Sequence, residues 1–180
     1  MDGKTSGQPS VLLRPLGVLD EKQALMAHEE LAEDGFELLF DREHGAAWPV
    51  YCERLESRRL GVDLPEDTVP ATFLVAEAAG QIVGRVSIRH ALNTYLAEFG
   101  GHLGYGVRPG FRRRGYATAI MRQSLEIALS LGLNRVLVTC DDNNGGSAKI
   151  IASCGGVLEN VVASQDGCSR KRRYWVEVGA

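Results

Sequence analysis

Residues 107–118 read VRPGFRRRGYAT and join a glycine-bearing apolar run to a long helical pattern. Three consecutive arginines, Arg112 to Arg114, precede Gly115 in a chain whose formal net charge is −3. The first N–H groups of a helix have no partner within it, and the helix dipole adds partial positive charge there. Because a glycine lets the backbone approach a ligand closely, the stretch predicts a phosphate-binding loop. A solvated basic turn is the alternative.

The residues on either side predict a strand before this loop and a helix after it. The run HLGYGV at residues 102–107 carries two glycines. Glycine within a strand often marks a place where another group approaches the backbone closely. In residues 116–132, YATAIMRQSLEIALSLG, apolar residues recur at helical spacing. The apolar run RVLVTC at residues 135–140 is typical of a central strand. A short helix is predicted from about Ser147 to Cys154.

The remainder of the chain predicts helices and antiparallel strands. Residues 11–16 predict a first strand, and residues 20–35 and 48–60 predict helices. Two hairpins are predicted, over residues 71–90 and 157–178. The second arm of the first hairpin has an apolar and a polar face, and the polar one contains Arg85, Ser87 and Arg89. The chain is therefore predicted to be one α/β (α+β) domain over residues 11–180, after a disordered lead-in at residues 1–10.

Composition excludes several classes of protein. The chain has 180 residues, of which 44% are hydrophobic and 24% charged, as in a soluble globular protein. No apolar run approaches the roughly 20 residues of a membrane span, and the polar N-terminus lacks the apolar centre of a signal peptide. The four cysteines form no C-x-x-C pair, which predicts free thiols in a reducing cytoplasm and no metal site. The mild acidity argues against a nucleic-acid partner.

Charge is distributed unevenly along the chain. Residues 99–125 contain five arginines and no acid, whereas residues 20–37 contain seven acids and one lysine. This asymmetry suggests two sites of opposite charge preference. The alternative for the acidic segment is a solvated helix face.

The motif at the joint is R-x-x-G-x-A, formed by Arg112, Gly115 and Ala117. It lacks the Gly-Lys-Ser/Thr ending of a Walker A loop, and it is not the dinucleotide pattern G-x-G-x-x-G. The segment RRRGYA resembles the signature Q/R-x-x-G-x-G/A of the GCN5-related N-acetyltransferases (the GNAT family). Asn144 and Ser147 match the family's N-x-x-S.

The resemblance extends over residues 73–178 to an uncharacterised bacterial branch of predicted acetyltransferases, in phrases such as VTCDDNNGGSAKIIASCGGVLEN. It implies a central mixed, mostly antiparallel twisted sheet of six or seven strands flanked by helices. It also implies acetyl-CoA as co-substrate and no metal. Backbone N–H groups of residues 112–117 would bind the pyrophosphate, and the pantetheine arm would lie along the strand ending at Val107.

The resemblance assigns a set of residues to the cofactor. Ser147 could equally be the N-cap of its short helix, and Tyr105 is expected to be a wall of the channel or part of the core. The assigned residues are Tyr105, Gly106, Val107, Arg112, Arg113, Arg114, Gly115, Tyr116, Ala117, Thr118, Asn144 and Ser147.

The chain departs from the family pattern at the expected general acid. Many members place a tyrosine four residues beyond the serine, where this chain has Ile151. The candidates for acid–base catalysis are His102, which begins the strand beside the expected thioester, and Glu98 just upstream. A structural histidine on a strand is the alternative for His102.

The implied function is direct transfer of an acetyl group from acetyl-CoA to a primary amine in a ternary complex. The acidic segment hints at a cationic acceptor, such as a polyamine, an amino sugar or a peptide N-terminus. A non-catalytic acyl-CoA-binding module is the alternative that the missing tyrosine motivates, and an unrelated phosphate-binding enzyme is a third. The oligomeric state is left open, because relatives include monomers and dimers.

Overall fold

The computed structural model describes residues 9–43, 45–163 and 169–179. Most of the predicted lead-in, the tip of the closing hairpin and Cys168 therefore lie outside the described residues. Pro9 is half-buried, and a Cβ atom built on Gly115 would lie 3.0 Å from its Cδ atom. Pro9, near the end of the predicted lead-in, thus lies against residues 112–115, which we call the arginine loop.

A single mixed sheet forms the centre of the described structure. Its strands follow one another in the order β1-β2-β3-β4-β5-β7-β6, and every neighbouring pair is antiparallel except β4 and β5. This arrangement confirms the predicted α/β class and the mostly antiparallel sheet. The strands are β1 (Leu12–Arg14), β2 (Ala71–Ala78), β3 (Gln81–Arg89), β4 (Leu103–Val107), β5 (Arg135–Asp141), β6 (Val157–Ala163) and β7 (Arg170–Glu177).

Helices cover both faces of this sheet. On one face, α1 and α2 enclose a core with β2 and β3 that includes Leu31, Tyr51 and Phe73. On the other face, α3 and α4 pack on the sheet through residues such as Ile120 and Ile151. A short π-helix over Leu96–Gly100, which the sequence did not predict, precedes β4. The four α-helices are α1 (Glu21–Ala32), α2 (Trp48–Leu60), α3 (Tyr116–Ser130) and α4 (Gly145–Ser153).

The strands β4 and β5 meet at one end and separate beyond it. Leu103 and Val138 are their one aligned pair. His102 fastens this end, because its N–H donates to the Leu137 carbonyl at 2.7 Å and its Nδ1 accepts the Leu137 N–H at 2.9 Å. Beyond Leu103, β4 pairs with β3 alone. A gap therefore opens along one side of β4.

The register of β4 determines which backbone groups face this gap. The Arg89 N–H donates to the His102 carbonyl, and the Arg108 N–H donates to the Val83 carbonyl. Successive residues of a strand direct their backbone groups to opposite sides. Tyr105 and Val107 therefore direct theirs away from β3 and into the gap.

Two further features concern what the described ranges lack. No helix within residues 9–43, 45–163 and 169–179 is long and apolar enough to cross a membrane. In the same ranges, no group of three or more His, Cys, Asp or Glu side chains is placed to hold a metal ion.

Candidate active site

A cavity of about 700 Å³, which we call the cleft cavity, opens at the gap between β4 and β5. It is bounded by the end of β4, the arginine loop with the start of α3, the start of α4, and the segment after α1. The structure thus brings together every residue that the sequence assigned to the cofactor except Arg114. Those lining it are Tyr105, Gly106, Val107, Arg112, Arg113, Gly115, Tyr116, Ala117, Thr118, Asn144 and Ser147.

Free backbone donors line the cavity at the start of α3. Gly115 adopts a left-handed φ of 84° as the N-cap, and Arg113 also has a positive φ, 62°. The first helical hydrogen bond across this end runs from the Ala119 N–H to the Gly115 carbonyl. Within the described part of the chain, no backbone carbonyl accepts the N–H groups of residues 113–118. These donors are therefore available to an anion.

The three consecutive arginines have three different surroundings. Arg112 is held in place, since its Nε donates to the Val107 carbonyl at 3.0 Å and its Nη2 lies 2.6 Å from the Asp34 carboxylate. Arg113 is exposed and lines the cavity. Arg114 instead lies over the Phe111 ring, 5.8 Å from its centroid, and does not line the cavity. Its assignment to the cofactor is therefore not supported.

The start of α4 carries a hydroxyl pair inside the cavity. Asn144 is the N-cap, because its Oδ1 accepts the Ser147 N–H at 2.9 Å. The Ser147 hydroxyl therefore does not cap the helix, and it forms a 2.9 Å hydrogen bond with the Tyr105 hydroxyl. Burial raises the pKa of Tyr105, an effect that the Ser147 hydrogen bond opposes. Tyr105 thus presents a protonated phenol, whereas sequence reasoning saw only a channel wall.

The surroundings of His102 correct its assignment as a catalytic base. Its side chain is 6% exposed, and its Nδ1 is occupied by the Leu137 N–H. Burial, with a smaller contribution from the positive Arg89, lowers the pKa of His102 to about 4. It does not line the cleft cavity. In the structure His102 instead joins β4 to β5 through its two hydrogen bonds with Leu137.

Glu98 and Ile151 also fall outside the cavity. Glu98 is an exposed residue of the π-helix and lines neither of the cavities described here. Ile151, at the position of the usual family tyrosine, is fully buried in the core beneath α4. The expected acid and both expected bases are thus absent from the cleft cavity, where Tyr105 presents a half-buried hydroxyl.

A second cavity of about 520 Å³, which we call the arginine pocket, lies on the α1 and α2 face of the sheet. Its floor is the face of β3 that contains Arg85, Ser87 and Arg89, residues that the sequence placed on a polar face. Arg85 is 7% exposed and Ser87 is 1% exposed. The alternation of arginines along a strand was the signal, but it does not distinguish a buried charge from a solvated one.

Phe36, in the segment after α1, stands between the two cavities and lines both. A Cβ atom on Gly106 would lie 2.6 Å from its ring, and one on Gly104 would lie 3.2 Å from the Arg89 Nη1. On this face of β4 the two glycines therefore make room for protein side chains. Phe36 and Arg89 occupy the space that their missing side chains leave.

Three of the seven acids in the acidic segment, residues 20–37, pair with arginines. Glu30 accepts two hydrogen bonds from Arg108, at 2.9 and 2.5 Å, and Arg108 holds the pKa of Glu30 below its ordinary value. Asp34 pairs with Arg112 as described. Asp20 likewise accepts two hydrogen bonds from Arg14, which lowers its pKa. Three of the acids thus hold α1 and its flanks to the sheet and to the arginine loop.

Comparisons with known proteins agree with this architecture. No curated protein sequence matches the chain. Among solved structures, Mycobacterium smegmatis RimJ in complex with CoA-disulfide is similar, with a TM-score of 0.67 and 20% identity over 94% of this chain and 82% of that one. The microcin C7 self-immunity acetyltransferase MccE, in complex with acetyl-CoA and AMP, gives a TM-score of 0.66 and 16% identity over 93% and 92%. YncA from Salmonella typhimurium, a putative acetyltransferase with acetyl-CoA, gives 0.64 and 14% over 93% and 94%.

The model of the Acetyltransferase (GNAT) family matches residues 32–155. This range runs from the end of α1 through α4 and includes the separated strands, the arginine loop and both cavities. The chain belongs to the GNAT family of acetyltransferases.

Proposed function

We propose that this protein transfers an acetyl group from acetyl-CoA to a primary amine, directly and within a ternary complex. One observation carries the proposal: the residues with free N–H groups at the start of α3, Arg113 and Gly115 to Thr118, line a cavity that opens where β4 and β5 separate. Neutral donors at a helix start suit a pyrophosphate, and the gap beside β4 offers unpaired strand backbone to an amide-containing arm.

The residues of the cleft cavity fit the two polar parts of acetyl-CoA. The start of α3, from Arg113 to Thr118, would hold the pyrophosphate, with Arg113 strengthening the positive field. The backbone groups of Tyr105 and Val107 would hold the pantetheine arm. The Val107 carbonyl already accepts the Arg112 Nε, which leaves its N–H as the donor at that residue.

Acetyl-CoA supplies an activated thioester, whose carbonyl carbon bonds to the amine nitrogen as the carbon–sulfur bond breaks. The amine must lose one proton, and the departing thiolate gains one. A tyrosine phenol is protonated at neutral pH, burial raises the pKa of Tyr105 above its ordinary value, and Ser147 orients its hydroxyl. We propose Tyr105 as the proton donor that substitutes for the family tyrosine absent at Ile151. Asp34 and Asp141 are the described carboxylates that line this cavity, and each is paired with a cation, Arg112 or Lys171. We therefore assign the acceptance of the amine proton to water.

The similar structures support the choice of co-substrate. MccE and YncA are solved with acetyl-CoA, and RimJ with a CoA disulfide. A cytoplasmic location, a single domain over residues 11–180 and a homodimer stay predictions from the sequence.

Release of free thiol from acetyl-CoA, measured with a panel of amines, tests the proposal. We expect thiol release that requires both protein and amine, together with an acceptor heavier by one acetyl group. Binding of acetyl-CoA without transfer to any amine would instead favour the non-catalytic module that Ile151 suggests. A thermal shift with ATP or NAD and none with acetyl-CoA would favour an unrelated phosphate-binding enzyme.

A further inference from the structure

The floor of the arginine pocket contains two guanidinium groups on one strand, of which Arg85 is buried and Arg89 is half-buried. Arg85 donates to the Gly104 carbonyl at 3.0 Å and to the Glu37 carbonyl at 2.8 Å. Arg89 donates to the Gly100 and Gly101 carbonyls at 3.2 and 3.4 Å. All of these acceptors are neutral backbone groups. The two positive charges are therefore held in place without being neutralised.

No described carboxylate forms an ion pair with either arginine, although residues 9–43, 45–163 and 169–179 contain many other such pairs. The Nε atom of Arg85 is buried without a hydrogen-bond partner within those ranges. A buried charge that lacks a counter-ion costs several kcal/mol of folding free energy. An arrangement that expensive on an interior strand points to an anion that binds there.

The acids that face this pocket lie at its rim. Asp41 pairs with Arg58, whereas Glu37 and Asp67 are exposed and pair with neither floor arginine. The pocket is therefore positive at its floor and negative at its edge. This polarity disfavours a polyamine, whose charges are all positive, and favours a molecule that carries both signs.

We propose that the arginine pocket binds the carboxylate of the acceptor, and that the acceptor is a small zwitterion of the α-amino-acid type. This inference rests on the proposed transfer reaction and deepens it by naming the class of amine. Arg85 and Arg89 would form charge-assisted hydrogen bonds with the carboxylate, and its amine would lie beside Phe36, toward the cleft cavity.

The distances within β4 favour an acceptor with closely spaced groups. Arg85 contacts Gly104, and the guanidinium of Arg89 lies above the same residue. The next residue, Tyr105, lines the cleft cavity. Successive side chains of a strand point to opposite faces, so the two cavities adjoin the same short stretch of β4 from opposite sides of the sheet. This arrangement favours an acceptor whose carboxylate and amine lie close together.

The charge state of the floor is consistent with this role. Burial, and secondly repulsion by Arg89, lowers the pKa of Arg85 to about 9. Phe36, Phe40 and Phe73 surround its guanidinium, with ring centroids 4.5, 5.3 and 5.9 Å away. The rings hold the side chain in a fixed orientation, which reduces the entropy lost when a planar anion binds.

Matched acceptors test the inference. The proteinogenic L-amino acids and their α-amides would be compared as substrates by thiol release at saturating acetyl-CoA. We expect at least one acid to exceed its own amide in kcat/KM by about tenfold or more. Transfer to amines with no preference for the acid over the amide would overturn the inference while leaving the proposed function in place.

An Arg89→Gln variant identifies the residues responsible. It keeps a donor for the Gly100 carbonyl but removes the charge, so the preferred acid should lose about tenfold in kcat/KM while its amide changes little. The KM for acetyl-CoA should not change. The control is Arg59→Gln, which should behave as wild type. Arg59 is an exposed residue of α2 that pairs with Glu56. Equal losses for acid and amide in Arg89→Gln would indicate a structural arginine and overturn the assignment.

Failure of the reaction itself gives a separate result. If no amine is acetylated, the same acids and amides would be tested for binding to the CoA-saturated protein by calorimetry. Binding of an acid in preference to its amide, weakened by Arg85→Lys and by Arg89→Gln, would support the carboxylate site without the transfer reaction. Absence of any such preference would overturn the site as well.

Discussion

The cleft cavity and the arginine pocket lie on either side of Phe36 and are built from different materials. The cleft cavity presents backbone N–H groups at a helix start and two hydroxyls. The arginine pocket presents charged side chains on a buried strand. Backbone donors are part of the fold and carry no net charge, whereas buried guanidiniums destabilise the free protein. The first device suits a co-substrate shared by a family, and the second suits one acceptor.

The two cavities also respond differently to substitution. Donors of the cleft cavity cannot be removed by changing one side chain, so they are tested by obstruction. The arginine pocket is tested by removing charge, as described above.

Gly115→Glu should abolish most of the affinity for CoA. The substitution places a bulky negative side chain at the N-cap of α3, where φ is 84° and an anion is expected. Loss of binding by about 100-fold or more is expected from obstruction and charge repulsion together. Calorimetry with CoA measures it.

Gly132→Glu is the matched control for this change. Gly132 has a φ of 88° and open space around its Cα atom, and it lies beyond the far end of α3. It introduces the same left-handed backbone strain and the same charge away from the cavity, without the 3.0 Å approach to Pro9 that a side chain at Gly115 makes, so CoA affinity should equal that of wild type. Equal losses in the two variants would mean that backbone strain, and not the ligand site, explains the result.

His102 should make folding stability fall with acidification. Its pKa is about 4 in the folded protein against an ordinary value of 6.5, so the unfolded chain binds the proton more tightly. The contribution is fully present above pH 6.5 and is lost as the pH falls toward 4, on the order of 3 kcal/mol in total. The free energy of unfolding of His102→Gln, measured with denaturant across this pH range, should depend less steeply on pH than that of wild type.

His28→Gln is the matched control for this variant. The Nδ1 of His28 also accepts a backbone N–H, that of Leu39, at 3.2 Å. This variant retains His102, so its stability should keep the steep dependence of wild type between pH 6.5 and 4. An unchanged slope in His102→Gln would contradict the role of His102 as a neutral fastening between the strands.

Tyr105→Phe should lower kcat by about 10- to 100-fold with little change in the KM for acetyl-CoA. The variant removes the hydroxyl that Ser147 orients but keeps the ring that packs against the core. Tyr51→Phe is the control, since Tyr51 is a buried tyrosine of α2 that lines neither cavity. A kcat within twofold of wild type would exclude Tyr105 as the proton donor.

Arg113→Ala should weaken CoA binding only a few-fold, and less at high salt, because its charge is exposed and screened. Arg114→Ala should have no effect, since Arg114 lies on Phe111 outside the cavity. Titrations of both variants at two ionic strengths would separate them. A loss in Arg113→Ala as large as that in Gly115→Glu would mean that side-chain charge, and not the backbone, provides the site.

Much of the cleft cavity could be predicted from the sequence, because it depends on local order. A strand, a glycine-containing loop and a helix must follow one another to place free N–H groups at a helix start, and residues 102–132 show that order directly. The same local logic located both hairpins and the central strand β5. Arg114 was the exception, since local order does not fix which way a loop side chain turns.

The roles of single residues depended on packing between distant segments. The sequence of residues 82–89 predicts one polar face on β3. In the structure α1, α2 and Phe36 cover that face, so the positive charges of Arg85 and Arg89 lie at the floor of a pocket. His102 is structural because Leu137, far along the chain, supplies the N–H that occupies its Nδ1.

The acidic segment and Tyr105 show the same limit. In the sequence, Glu30 and Asp34 of the acidic segment looked free to bind a cationic acceptor. In the fold they pair with Arg108 and Arg112. The Tyr105 hydroxyl gained a chemical role only when α4 placed Ser147 next to it.

Periodicity and chain order encode backbone geometry, and they were therefore enough to predict the sheet class and the position of the arginine loop, while the motif RRRGYA carried the resemblance to the family. Which side chains are buried, paired or free became visible in the folded structure alone. Those properties arise from contacts between residues that are far apart in the chain, and they decide what this protein accepts.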